Sequence, residues 1–204
     1  MKLYDSIGPN PRVVRMVLAE KAIAVETVKI DLMGAQNRQA DYLAKVPTGG
    51  LPALELDDGS IVAEITVIAE YLEDLQPLPA IIGTTPTERA ETRMWVRRID
   101  LAIFEPMLNG FRASEGRPLF APRMSLISRE AAAELKAMVQ EKLLWLDELM
   151  QGRTWVCGDR FSLADLMLLA LVEFGATVGQ PISPACTWLP GWQKRAAARP
   201  SAAA

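Results

Sequence analysis

The sequence contains no histidine. That absence removes Ser-His-Asp and Cys-His catalytic arrangements, and every zinc site that needs imidazole. Cysteine is scarce as well: Cys157 and Cys186 are the only two, and they form neither a C-x-x-C pair nor a disulfide framework. Neither sign of charge dominates. With 22 Lys and Arg against 25 Asp and Glu, the formal net charge is −3 and no segment is markedly basic, which argues against nucleic acid as a partner. Long hydrophobic runs are lacking too. The most apolar stretch, residues 163–179, is interrupted by Asp165 and Glu173 and reads as a buried helix rather than a membrane span. No charged-then-apolar leader opens the sequence, so a cytoplasmic location is expected.

What is present falls into two halves. Residues 1–76 alternate strand and helix signals: a strand at 2–5, a helix at 11–22, a strand at 25–31, and a polar segment after it. Then come Pro52 to Leu56, the turn Asp57-Asp58-Gly59 and a strand at 60–63; an Asp-Gly step between short apolar runs is a hairpin signal. Ile68, Leu72 and Leu75 at helical spacing extend a helix over 65–75. This order, β-α-β followed by β-β-α, predicts a small α/β layer of four strands.

Residues 77–87, with three prolines and a glycine, read as a linker. Residues 88–204 read as helix throughout, with Pro106 dividing the long pattern at 88–111. Over 128–150, Leu135, Val139, Leu143, Leu146 and Met150 form one stripe, ended by Gly152. Ser162, three before Asp165, and Phe161, five before Leu166, have the spacing of a capping box with a hydrophobic staple, so Ser162 and Asp165 are fold residues.

Three corners of the first half invite chemistry. At residues 7–15 a strand feeds a helix, but this turn holds no Cys, Ser or Thr. At Pro52 a glycine-rich loop enters a strand at a position that donates no ladder hydrogen bond. At Glu64 a strand feeds a helix whose first N–H groups, at Ile65 and Thr66, suit a bound carboxylate, with Glu64 beside them to hold an ammonium. Two readings stand for Glu64: a receptor for the α-amino acid end of a ligand, or an acidic neighbour of the helix cap.

The run LPALELDDGSIVAEITVIAEYLE resembles the first domain of the glutathione transferase family, and DRFSLADLML resembles that family's helical second domain. The resemblance covers nearly the whole chain. It implies a thioredoxin-like α/β N-terminal domain, an all-α C-terminal domain and a homodimer. Glutathione becomes the co-substrate, with no metal, and the second substrate a hydrophobic small molecule. Pro52 is then cis, Leu51 pairs through its backbone with the cysteinyl part of glutathione, and Glu64 with the N–H of Ile65 receives the γ-glutamyl end. Asn37, or Gln36 beside it, falls where some bacterial relatives bind the glycine carboxylate. Trp95, Met107, Phe111 and Arg112 would line the second-substrate pocket between the domains, or serve the helical core.

In this family the first turn steadies the thiolate of glutathione. Gly8 stands where relatives carry Ser or Thr, so Asn10 becomes the leading stabiliser, with Ser6 in reserve and Arg12 as electrostatic help. Asn10 also suits an ordinary N-cap for a helix starting at Pro11, and Arg12 an ordinary solvated position. Ile65 replaces a hydroxyl residue, and Gly50 replaces Gln or Lys. The resemblance thus implies a transferase that adds the thiolate to an apolar electrophile in detoxification. Two alternatives stand: a glutathione-dependent disulfide reductase, or a non-catalytic binding relative of the stringent-starvation type.

Overall fold

The computed structural model describes residues 1–204, which divide into two compact units: Met1–Thr84 together with Arg199–Ala204, and Thr85–Ala198. The first unit runs β1 (Lys2–Asp5), α1 (Pro9–Glu20), β2 (Glu26–Lys29), α2 (Ala40–Leu43), β3 (Ala53–Glu55), β4 (Ile61–Ala63) and α3 (Ile65–Leu75). Its four strands are ordered β2-β1-β3-β4, with β1 parallel to β2 and the β1–β3 and β3–β4 pairs antiparallel. This is the thioredoxin-like layer expected from the strand order.

Side chains alternate across β1. Tyr4 points to one face, where its ring meets Tyr42 of α2 edge-on among Ile30, Val46 and Ala53. Leu3 takes the opposite phase, and α1 and α3 pack side by side with Val13, Val14, Met16, Val17, Ile68 and Leu72 buried. Leu75, expected on the same stripe, is exposed at the end of α3.

Helix α1 begins at Pro9, two residues earlier than the sequence suggests. Gly8 is its N-cap, at φ 111°, a conformation that only glycine adopts readily. Pro9 and Pro11 both fit inside the first turn because the N–H each lacks would have no intrahelical partner there. Asn10 is therefore a helical residue and not the cap.

The stretch read as a linker is tied to this unit. Buried Lys21 pairs with buried Glu73 and also donates to the carbonyls of Gln76 and Pro79, at 2.9 and 2.7 Å. The Glu73 carboxylate accepts from the N–H groups of Ile81 and Ile82, at 3.1 and 2.9 Å. A buried ion pair persists when its remaining lone pairs and protons are satisfied, and here backbone groups do that. The last six residues also belong here: Arg199 bonds the Glu20 carboxylate through Nε and Nη2 at 2.8 and 2.7 Å, and Ser201 adds a third bond at 2.5 Å. Burial pushes the Glu20 carboxyl upward, but the Arg199 and Ser201 bonds outweigh it and hold the group below its ordinary value. Sequence reading assigned these residues to the helical half.

The second unit contains α4 (Pro86–Ile99), α5 (Glu105–Ala113), α6 (Arg117–Phe120), α7 (Arg129–Leu149), α8 (Leu163–Thr177) and α9 (Leu189–Ala197). Thr85 and Glu88 form a capping box at the start of α4. A π-helical segment, Asp100–Phe104, separates α4 from α5. Pro106 sits just beyond it, where its missing N–H and its ring disfavour continuous α-helix. On α7, Val139, Leu143 and Leu146 are buried as the stripe requires, and Gly152 lies at φ 78° beyond its end. Ser162 and Asp165 form the expected capping box, and Asp165 is fully buried.

Candidate functional site

Strand register places the three corners on one edge of the first unit. Tyr4, Ala53 and Ala63 are successive partners across β1, β3 and β4. Beyond that row lie the α1 corner, the Leu51-Pro52 loop and Glu64, in the same order. Two inter-strand steps span about 10 Å, close to the length of an extended tripeptide.

At the first corner, Asn10 is half-buried, and its buried Oδ1 has no hydrogen-bond partner. Pro9 and Pro11 carry no N–H, and the Arg12 N–H bonds the Gly8 carbonyl at 3.4 Å. Ser6 is not available: it is 7 % exposed and its hydroxyl donates to the Ile30 carbonyl at 2.8 Å. Arg12 turns to the chain's last residues and donates to the Ala202 carbonyl at 3.1 Å.

The second corner holds a cis peptide bond between Leu51 and Pro52, with another between Leu78 and Pro79. Asn37, expected at the glycine carboxylate, is instead 4 % exposed, and its Nδ2 donates to the Gly49 carbonyl at 2.7 Å. A short polar segment gave no sign that this side chain turns inward. Gln36 is exposed, and its Oε1 accepts from the Asp31 N–H at 2.8 Å. Arg38 donates to the Thr48 carbonyl at 3.0 Å and Tyr42 to the Gly50 carbonyl at 2.7 Å. Sequence reading singled out neither residue.

Glu64, at the third corner, is the N-cap of α3 at φ 69° and ψ 125°, and its exposed carboxylate makes no capping bond. A non-glycine residue held there costs about 1–3 kcal/mol, and such residues cluster at ligand sites. The first intrahelical bond runs from the Ile68 N–H to the Glu64 carbonyl at 2.9 Å, so the N–H groups of Ile65, Thr66 and Val67 precede it. Positive partial charge and an uncommitted carboxylate thus stand side by side, which suits a zwitterion.

Beside the α1 corner lies a cleft of about 540 Å³. It opens at the carboxyl ends of the parallel strands β1 and β2, and Ile7, Ile30, Leu32 and Met33 supply apolar wall. At its polar end, Arg15 and Lys29 both engage the buried Asp5 carboxylate.

The remaining candidates lie in the helical unit. Met107 is fully buried against Gly175, and Trp95, 4 % exposed, contacts Trp145. Both are core residues, Met107 with no surface to offer a ligand and Trp95 with almost none. Phe111 and Arg112 are half-buried; Phe111 packs edge-on against Phe120 and Phe174, and Arg112 donates to Asn109 Oδ1 at 3.0 Å. Cys157 and Cys186 are free and buried, and burial pushes both thiols up, away from the reactive thiolate form. No group of three or more His, Cys, Asp or Glu is placed to hold a metal ion, and no helix is long and apolar enough to cross a membrane.

Known proteins resemble this chain in sequence and fold. The pattern of the glutathione S-transferase N-terminal domain matches residues 7–75, and that of the C-terminal domain matches 111–200. Glutathione S-transferase 2 of Saccharomyces cerevisiae is 34 % identical over 205 residues, covering 98 % of this chain and 87 % of that protein. The crystal structure of Gtt2 from the same organism superposes with a TM-score of 0.92 at 34 % identity, covering 98 % of each chain. A sphingomonad glutathione S-transferase solved in complex with glutathione matches with a TM-score of 0.81 at 27 % identity, covering 100 % of this chain and 96 % of that one. With both domain patterns in order and such similarity along almost its whole length, the chain belongs to the glutathione S-transferase family.

Proposed function

We propose that the protein is a glutathione transferase that binds glutathione along the edge formed by Asn10, Leu51 and Glu64. The observation that carries this reading is Glu64, held at φ 69° with a free carboxylate beside unpaired helix N–H groups. The γ-glutamyl carboxylate takes the N–H groups of Ile65 and Thr66, and its ammonium pairs with Glu64. The cysteinyl part pairs with the Leu51 backbone next to Pro52. The thiolate then falls beside half-buried Asn10, whose amide N–H₂ can donate to it. Ile65 gives only its backbone to this site, so glutathione is held by fewer bonds than a hydroxyl residue would allow.

The apolar electrophile enters the cleft walled by Ile7, Ile30, Leu32 and Met33, since Ile7 lies immediately before the turn that carries the thiolate. This replaces Met107 as a second-substrate residue. The same reading takes the protein as a cytoplasmic homodimer acting in detoxification. A binding role without chemistry is the second reading. It is favoured by the turn itself, where Gly8 supplies no hydroxyl and Ser6 is committed to Ile30.

Titration with glutathione from pH 5 to 9, following thiolate absorbance in the ultraviolet, tests the choice. Thiolate forming well below the ordinary thiol pKa of about 8.5 is the expected result. Asn10→Ala should then return the bound thiol toward that value, by roughly one pH unit. Binding detected by heat without any thiolate would leave the non-catalytic role or disulfide reduction by two glutathiones.

A further inference from the structure

Three successive carbonyls before the Leu51 edge each accept a side-chain hydrogen bond. Arg38 reaches Thr48 at 3.0 Å, Asn37 reaches Gly49 at 2.7 Å, and Tyr42 reaches Gly50 at 2.7 Å. All three donors come from one short stretch, residues 38, 37 and 42, lying beneath the loop. The loop itself has two adjacent glycines, and such backbone is conformationally permissive unless something fixes it.

Peptide geometry gives the third bond a consequence. Only Leu51–Pro52 and Leu78–Pro79 are cis, so the Gly50–Leu51 peptide is trans and planar. In a trans peptide the N–H points opposite to the C=O. A bond that draws the Gly50 carbonyl toward Tyr42 therefore turns the Leu51 N–H away from it. No group of the chain accepts from that N–H.

Tyr42 is well placed to set a direction. It is 4 % exposed, and its ring meets Tyr4 at 5.8 Å between centroids and 85° between planes. Tyr4 in turn donates to Glu55 on β3, the strand that follows Leu51, at 2.5 Å. Burial, then the neighbouring Tyr4, push the Tyr42 phenol up, so it remains a neutral donor through the working pH range.

Resting on the reading that the Leu51 backbone receives the cysteinyl part of glutathione, we infer that Tyr42, supported by Asn37, is a positioning residue that aims the Leu51 N–H at the cysteinyl carbonyl. Tyr42 does not touch the ligand. It acts through the shared peptide plane.

The test pairs Tyr42→Phe, which keeps the ring, with a glutathione analogue whose cysteinyl carbonyl is reduced to a methylene. Calorimetric titration of the wild type should find the analogue about tenfold weaker than glutathione. Tyr42→Phe should bind glutathione itself about tenfold more weakly, and the analogue no more than about threefold worse than that, because the bond is already misdirected. Steady-state KM for glutathione should rise by more than kcat falls. Asn37→Ala, one peptide further from Leu51, should act in the same sense but less, and thermal melting of both variants reports whether they fold. Equal penalties for the analogue in wild type and Tyr42→Phe would overturn the inference and leave Tyr42 a packing residue. Failure of the wild type to bind glutathione would remove the reading and this inference together; binding without coupling removes only the inference.

Discussion

Helices α3 and α8 each begin beside an acidic residue, and each has amide groups ahead of its first intrahelical bond. At α8 the Asp165 carboxylate accepts from the Ser162 N–H at 3.0 Å, the Val156 N–H at 3.0 Å and Trp192 Nε1 at 2.9 Å. Both oxygens of that carboxylate are engaged, and Asp165 is fully buried. At α3 the carboxylate of Glu64 is exposed, makes no capping bond and sits on a backbone conformation that costs energy. The same chemistry serves folding where its bonds close internally. Where they are left open, it is ready for something that arrives from outside.

That contrast can be broken most severely at α8. Asp165→Ala leaves three buried N–H donors without an acceptor and should cost about 3–5 kcal/mol, measured by denaturant unfolding of the whole chain. The next effect is a pH dependence of the same group. Burial pushes the Asp165 carboxyl up to about 6 against the pull of its donors. Between the ordinary carboxylate range and that value the folded state keeps a proton that the unfolded state has lost. Raising the pH through this window therefore weakens folding by up to about 3 kcal/mol from this group alone. Asp165→Asn should remove that component from the melting temperature plotted against pH. A slope unchanged in Asp165→Asn would show that other carboxyls produce it.

Substitution at Glu64 sharpens the other side. Glu64→Gln should weaken glutathione binding by ten- to a hundredfold, as loss of a charged bond of ~1.5–3 kcal/mol requires, while melting stays close to wild type. Glu64→Gly gives the smallest change in stability and the most telling sign. Glycine accepts φ near 69° without strain, so this variant should be more stable by about 1 kcal/mol while losing the ligand. Loss of both stability and binding would mean that Glu64 serves the fold after all.

The three corners were legible because proline, glycine and isolated acids carry strong local preferences that survive into the structure. The capping box of α8 and the strand order were legible for the same reason. Other features depend on contacts that no local pattern encodes. Asn37 lies in a polar segment, and only the path of residues 48–50 above it shows that its side chain turns inward. Met107 looked like a pocket residue because an apolar side chain beside Phe111 has the same spelling in a cleft and in a core. The start of α1 was placed late because Pro11 was taken as its first residue, although Pro9 holds that position. Tyr42 carried no signal at all, since its hydroxyl matters only through Gly50, eight residues away.

The return of Arg199–Ala204 to the first unit changes the connectivity of the molecule. The helical unit is an insertion, joined by two covalent crossings, after Thr84 and before Arg199, rather than an appendage hung from one. A protease that cuts only near residue 84 leaves both fragments held through the Glu20 clasp of Arg199 and Ser201. Release of an intact helical unit takes a second cut, so limited proteolysis should yield a nicked particle that still migrates as one species under native conditions.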